Sequence, residues 1–205
     1  MGETPRKPQR LGLSPLAVRA AKRFIDITIA GILLLPACLI CVPLLLAICV
    51  ESPGKPLFRQ WRIGRERRPF RLLKLRTMAR GTAHLPSHEL GADRITRAGR
   101  FLRRTKLDEL PQIWNVLVGD MSLVGPRPCL PSQDELIQER ERHGAFRVRP
   151  GITGPAQLAG IDMSEPVRLA RIDGEYAARI SLLRDMKVLA RTAIGVGSGD
   201  AARQR

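Results

Sequence analysis

Asp108 and Glu109 stand side by side in the stretch Arg103-Arg104-Thr105-Lys106-Leu107-Asp108-Glu109-Leu110-Pro111, with Arg103, Arg104 and Lys106 just before them. Adjacent carboxylates can attack an electrophilic phosphorus or hold a divalent ion, and neighbouring cations can neutralise phosphate oxygens. The same residues also have a purely structural reading. Thr105 and Asp108 have the spacing of a capping box, and acids in the first turn of a helix gain about 0.3–1 kcal/mol from its dipole. Pro111 is tolerated only near such a helix start, where backbone donors lack intrahelical partners.

Two further segments carry arginines on stiff backbone. In Gly119-Asp120-Met121-Ser122-Leu123-Val124-Gly125-Pro126-Arg127-Pro128, prolines on both sides restrict the chain that displays Arg127. In Arg147-Val148-Arg149-Pro150-Gly151-Ile152-Thr153-Gly154, Arg149 precedes a glycine-rich turn whose amides could form an anion nest. Ordinary loop punctuation is the alternative for both. Three stiffened basic loops and one acidic pair favour a diphosphate ligand over DNA, because DNA binders more often spread charge along a helix.

These loops need elements to hold them. Leu57 to Ile63 and Phe70 to Met78 are short mixed apolar and basic stretches on either side of Gly64-Arg65-Glu66-Arg67-Arg68-Pro69, a pattern that predicts a small hairpin bearing Lys74 and Arg76. A solvated basic face is the alternative there. Gly81 to Gly91 reads as a polar loop; its His84 and His88 have helical spacing, but no third ligand lies nearby to close a metal site. Helical patterning is expected from Ile95 to Arg104, from Thr105 to Val118 and from Ser132 to His143. A last helical region, Pro166 to Ile194, is broken near Ile180-Ser181.

Upstream, Ile27 to Val50 is an uncharged run of about 24 residues, enough at about 1.5 Å each to cross a bilayer core of about 30 Å. It starts too late and runs too long for a signal peptide. Pro36 and Pro43 predict a bend or break near its middle, and both flanks are basic: Arg19, Lys22 and Arg23 before, Lys55, Arg59 and Arg62 after. With no charge asymmetry, a helix that enters one leaflet and returns to the same face fits better than a proline-kinked span, which is the alternative.

The 205 residues carry 35 Lys+Arg against 19 Asp+Glu, a formal net charge of +16, so a polyanionic partner is expected. Aromatic residues make up only 4% and do not interleave with the basic clusters, which argues against a base-stacking nucleic-acid surface. Cys38, Cys41 and Cys49 lie in the apolar run and Cys129 far downstream, without disulfide or metal spacing. That usage fits a reducing compartment.

Taken in order, Lys22-Arg23-x-x-Asp26, Lys74-Leu-Arg76-Thr77-Met78, Leu107-Asp108-Glu109-Leu110-Pro111-Gln112, Gly119 to Pro128 and Arg149-Pro150-Gly151-Ile152-Thr153-Gly154 resemble the bacterial sugar transferase family. These are the monotopic polyprenol phosphate phosphoglycosyl transferases. The likeness runs from about Lys22 to about Ile194. It implies a mostly helical α+β fold: a basic flexible N-terminus (1–20), a re-entrant membrane helix (21–51), a cytoplasmic catalytic domain (52–195) with a small β-hairpin and amphipathic interfacial helices, and a flexible tail (196–205).

The resemblance also implies a Mg²⁺-dependent reaction at the cytoplasmic face of a bacterial inner membrane. Asp108 would attack the sugar-linked phosphorus of a nucleoside diphosphate sugar, usually a uridine one, and polyprenol phosphate would then take the phosphosugar from it. Glu109, with Asp108, would hold the metal. Lys74, Arg76, Arg103 and Arg127 would bind the substrate's phosphates or order the carboxylates, and Arg149 would serve the nucleotide end. Anionic lipids would hold the basic surface, nucleic acid would not be a partner, and exposed apolar faces leave room for a homodimer. Two departures stand out: family members break the membrane helix at a Ser-Pro pair where this chain has Cys38-Leu39, and many carry an arginine after Gln157-Leu158-Ala159-Gly160 where this chain has Ile161-Asp162. The competing class is a non-catalytic, membrane-anchored basic scaffold or nucleic-acid-binding protein, which has no use for an acidic pair among arginines.

Overall fold

The computed structural model describes residues 14–79 and 94–195; His84 and His88, the polar loop around them, most of the basic N-terminus and the C-terminal tail lie outside the described residues. The first element is a single long helix, α1 (Pro15–Glu51), whose N-cap Ser14 accepts a hydrogen bond from the Ala17 amide. It begins six residues before the expected start at 21. Pro36 and Pro43 deprive the Ile32 and Leu39 carbonyls of their usual donors, yet the helix is not interrupted at either. Only 11% of its apolar stretch is buried against the rest of the chain, so α1 is no core helix of a water-soluble domain. Side chains such as Ile32, Leu35, Leu39 and Leu46 are exposed. The packed seam uses small residues instead, Ala30 and Ala37, which bring α1 against the core residues Ile113 and Val116.

The expected hairpin forms: β1 (Leu57–Ile63) pairs antiparallel with β2 (Pro69–Leu75), with Phe58 opposite Lys74, Gln60 opposite Leu72 and Arg62 opposite Phe70. Alternation puts those six residues on one face, which is turned inward. Arg59, Trp61 and Arg71 occupy the exposed face, and the Arg71 guanidinium lies 4.9 Å from the centre of the Trp61 ring.

Next come α2 (Arg97–Thr105), a 3-10 turn at Leu107–Glu109, and α3 (Gln112–Val118). The acidic pair therefore sits between two short helices and not in the first turn of one. Thr105 is no cap for it: the hydroxyl ends α2 by donating to the Phe101 carbonyl at 2.9 Å. Lys106 then turns the chain in the left-handed region (φ 58°), which costs a non-glycine residue about 1–2 kcal/mol. The real cap lies at the other end of α2, where Thr96 accepts from the Gly99 amide. Glu51, the last residue of α1, accepts from the Arg97 and Ala98 amides at 2.6 and 2.8 Å.

The two basic loops meet in a short parallel ladder that strand patterning did not predict: β3 (Ser122–Val124) beside β4 (Gly151–Thr153). The Gly125 amide donates to the Thr153 carbonyl and the Gly151 amide to the Pro126 carbonyl, both at 2.9 Å. A Cβ on Gly151 would fall 2.1 Å from the Gly125 nitrogen, so glycine is required for the strands to approach this closely. The remaining helices are α4 (Asp134–Arg142), the short α5 (Pro155–Leu158), α6 (Pro166–Ala178) and α7 (Leu182–Ala193). The break between the last two falls where it was expected. α4 is held to α6 by a buried ion pair in which Arg140 Nη2 and Nε both donate to Asp173 Oδ2, at 2.6 and 3.0 Å.

Candidate functional site

The inward face of the hairpin, the acidic turn and the Arg127 loop surround one cleft of about 240 Å³ open to solvent, lined by Arg62, Leu72, Lys74, Glu109, Gln112 and Arg127, with Pro128, Gly151 and Ile152 at its edge. Each wall has a local cause. Strand alternation points Arg62 and Lys74 inward, the left-handed Lys106 ends α2 so that the next residues fold back under it, and the glycine ladder brings Arg127 beside Gly151.

Lys74 links both acids. Its Nζ lies 2.7 Å from Glu109 Oε1 and 3.8 Å from Asp108 Oδ2, while Arg127 Nη2 reaches the same Glu109 oxygen at 3.4 Å. Burial by itself would raise the pKa of Glu109, but Lys74 and Arg127 outweigh it and hold that carboxyl well below its ordinary range. Asp108, buried at 8% exposure, goes the other way: desolvation raises it, against the pull of Lys74, with the neighbouring Glu109 charge adding to the rise. Two adjacent carboxyls thus diverge, one firmly ionised and one made more basic, an arrangement typical of acid, base or nucleophile sites.

Among the residues the sequence pointed to, the fold gathers Lys74, Asp108, Glu109 and Arg127. Arg103 stands at the margin: its Nε donates to Thr77 Oγ1 at 3.0 Å, and its charge still acts on Asp108. Arg76 and Arg149 belong elsewhere. The Arg76 guanidinium donates to the Ser52 and Pro53 carbonyls just beyond α1, tying that helix to the hairpin. Arg149 Nε donates at 2.8 Å to the Gly119 carbonyl, where Arg23 also caps the end of α3 through the Val116 and Leu117 carbonyls. The expected anion nest does not form at Gly151 either, because its amide is engaged by the Pro126 carbonyl.

Two cleft residues escaped the sequence reading, Arg62 and the buried Gln112. The signal for Arg62 was available. In a two-residue repeat, Gln60 and Arg62 share a face with the apolar Phe70 and Leu72, and a polar residue on the covered face of a strand needs a partner or a ligand.

The oxygen donors of the acidic turn are of the kind that Mg²⁺ takes. The ion prefers hard oxygen ligands and commonly takes one or two carboxylates, completing its shell with water and substrate phosphate. Asp108 and Glu109 fit that pattern, and no group of three or more metal-binding side chains exists among the described residues to make an all-protein cage.

Known proteins resemble this chain over most of its length. A protein from Caulobacter vibrioides named UDP-glucose:undecaprenyl-phosphate glucose-1-phosphate transferase is 42% identical over 189 residues, which cover 88% of this chain and 71% of that one. An Escherichia coli protein of the same name is 37% identical over 180 residues, covering 83% of this chain and 39% of its own length. A third, from Aeromonas hydrophila, is named UDP-N-acetylgalactosamine-undecaprenyl-phosphate N-acetylgalactosaminephosphotransferase and is 35% identical over 196 residues, 89% of this chain and 45% of that one. The chain therefore spans most of one relative and less than half of the other two. Since the family model described as bacterial sugar transferase matches residues 17–199, a range that takes in the acidic turn, the hairpin and the glycine ladder alike, this chain belongs to the bacterial sugar transferase family.

Proposed function

We propose that this chain transfers a sugar 1-phosphate from a uridine diphosphate sugar to undecaprenyl phosphate through a covalent aspartyl intermediate. The observation that carries the reading is Glu109 at the wall of a cleft with Arg127 on it, and the buried Asp108 carboxylate beside it, joined to Glu109 through Lys74.

In the first step an Asp108 oxygen bonds to the sugar-linked phosphorus, and the bond from that phosphorus to the bridging oxygen breaks, so UMP leaves with the electron pair. In the second, an oxygen of undecaprenyl phosphate bonds to the same phosphorus and the acyl phosphate bond breaks. Undecaprenyl diphosphosugar leaves and the Asp108 carboxylate is restored. No net proton transfer is required. Lys74 orients both carboxylates, Arg127 keeps Glu109 ionised and offers donors to phosphate, and desolvation makes Asp108 a better nucleophile. Asp108 and Glu109 would hold Mg²⁺, which when bound offsets charge building on phosphate oxygens. The cleft is shallow and open to solvent, so the sugar and uridine would reach over its rim.

The acceptor lies in a membrane, and α1 is the element that meets it. Support for a re-entrant course comes from its two ends, both tied to one body: Lys22 and Asp26 to Asp185, Ser122 and Leu123, and Glu51 to α2. A helix so held would enter and leave on the cytoplasmic face by bending where Pro36 and Pro43 remove backbone donors. Anionic lipids would add about 1 kcal/mol for each well-placed Lys or Arg.

The test is a donor panel with detergent-purified protein. With the correct UDP-sugar and no acceptor, wild type should release about one UMP per active site, then form lipid-linked product when undecaprenyl phosphate is added. Asp108→Asn should do neither. UMP release that strictly needs the acceptor, or full activity in Asp108→Asn, removes the covalent step.

A further inference from the structure

Arg62 lines the cleft from the inward face of β1, yet it makes no ion pair among the described residues. Its Nη1 donates to the Pro128 carbonyl at 3.1 Å and its Nη2 to Gln60 Oε1 at 2.7 Å, while its Nε is buried without a hydrogen-bond partner. A buried donor left unmatched is costly, and a guanidinium is a planar fork shaped for phosphate or carboxylate. The surroundings deepen the mismatch. Arg62, Lys74, Arg103, Lys106 and Arg127 all act electrostatically on one another or on the acidic pair, so five cations face two carboxylates.

We infer that Arg62 binds the diphosphate of the donor directly, its guanidinium taking a phosphate oxygen at the cleft wall that it lines. This assignment rests on the transferase reading above and adds a residue to it. The chemistry follows from the charge balance: a diphosphate brings the negative charge that Glu109 and Asp108 do not supply, and a turn of the guanidinium toward it would give Nε the acceptor it lacks. Arg127 sits beside Pro128, whose carbonyl Arg62 holds, so the two guanidinium groups would grip the same anion from adjacent walls. Carbonyl contacts keep Arg62 folded in before the ligand arrives, so little side-chain freedom is lost on binding.

Pyrophosphate is the probe, titrated into the full chain in detergent and followed by the rise in unfolding temperature. Wild type should bind it, Arg62→Gln should bind about tenfold or more weakly, and Arg59→Gln on the exposed face of the same strand should match wild type. Arg62→Lys keeps the charge and loses the Nε donor, so it too should weaken binding. A role only through Arg127 is separated by a double mutant: adding Arg62→Gln to Arg127→Gln should weaken binding again. Wild type that fails to bind pyrophosphate, unchanged affinity in Arg62→Gln or Arg62→Lys, or no added loss in the Arg127→Gln background would each overturn the assignment. If Arg62→Gln does not fold, Arg62→Lys decides the question alone. Failure of the transferase reading would look different: no lipid-linked product from wild type with any donor, with pyrophosphate binding and its dependence on Arg62 intact.

Discussion

Lys22 Nζ lies 2.7 Å from Asp185 Oδ2, joining the first helix to the last across 163 residues of sequence. Tyr176 completes the junction, its hydroxyl donating to Asp185 Oδ1 at 2.9 Å, and Asp26 adds a second tie by accepting from Ser122 Oγ and the Leu123 amide. The N-terminal part of α1 is therefore tied to the rest of the chain by buried polar contacts. Lys22→Met strands the buried Asp185 carboxylate, and thermal unfolding in detergent should show a loss of about 3 kcal/mol. Adding Asp185→Asn should recover much of it. A Lys22→Met protein as stable as wild type would show that the pair contributes little.

Asp108 and Glu109 predict a pH signature. Attack needs the Asp108 carboxylate, and because burial raises its pKa, the rate should begin to fall on acidification above the usual aspartate range. Lys74 is the largest influence opposing that rise. Lys74→Met should move the acid limb of kcat/KM to higher pH and lower the neutral rate about tenfold or more. An unshifted limb would mean that Lys74 does not set the ionisation of Asp108.

The same shift bears on stability. A carboxyl whose folded pKa lies above its unfolded value releases its proton sooner in the unfolded chain, so stability drops as pH climbs from the ordinary aspartate pKa through the raised one. Asp108→Asn removes that penalty. The inactive variant should melt above wild type at neutral pH and lose the advantage below the ordinary aspartate range; a lower neutral melting point contradicts the sign.

Arg140 and Asp173 form a fully buried pair, neither of which lines the cleft, and breaking one side leaves an uncompensated charge. Arg140→Met should cost about 3–5 kcal/mol in urea unfolding while leaving the KM for the donor unchanged in the folded fraction.

Gly151→Ala should act on the site through backbone alone. The added methyl meets the Gly125 nitrogen at 2.1 Å, forces β3 from β4 and moves Arg127, so kcat/KM should drop about tenfold or more with a lowered melting point. Gly31→Ala in α1, where a Cβ meets nothing within 4 Å, is the contrast: it should be neutral or slightly stabilising.

Local pattern made much of the fold legible. Alternation located the hairpin, helical periodicity found α4, α6 and α7 with the break between the last two, and the uncharged run marked α1. Legibility ended where two structures share one local signature. Thr105-Lys106-Leu107-Asp108 has the spacing of a helix start, yet it is a helix end followed by a left-handed residue, a turn that lets Leu102 and Leu107 pack in one cluster. The β3 and β4 segments are three residues each, too short to alternate visibly, and parallel partners 29 residues apart leave no periodic trace.

By itself, then, the sequence determined the apolar anchor, the charge excess, the acidic pair and the arginine-bearing loops, because these are properties of composition and neighbouring residues. Tertiary structure decided which cations meet those acids. Arg76 and Arg149 look as able to hold phosphate as Arg127, but a guanidinium goes to whatever acceptors folding brings within reach, and for those two they are carbonyls at the ends of helices. Arg62, unremarkable in the linear order, is turned inward by strand register and left with a donor to satisfy. Hydrogen bonds form over about 3 Å, and only the closed chain sets which distances are that short.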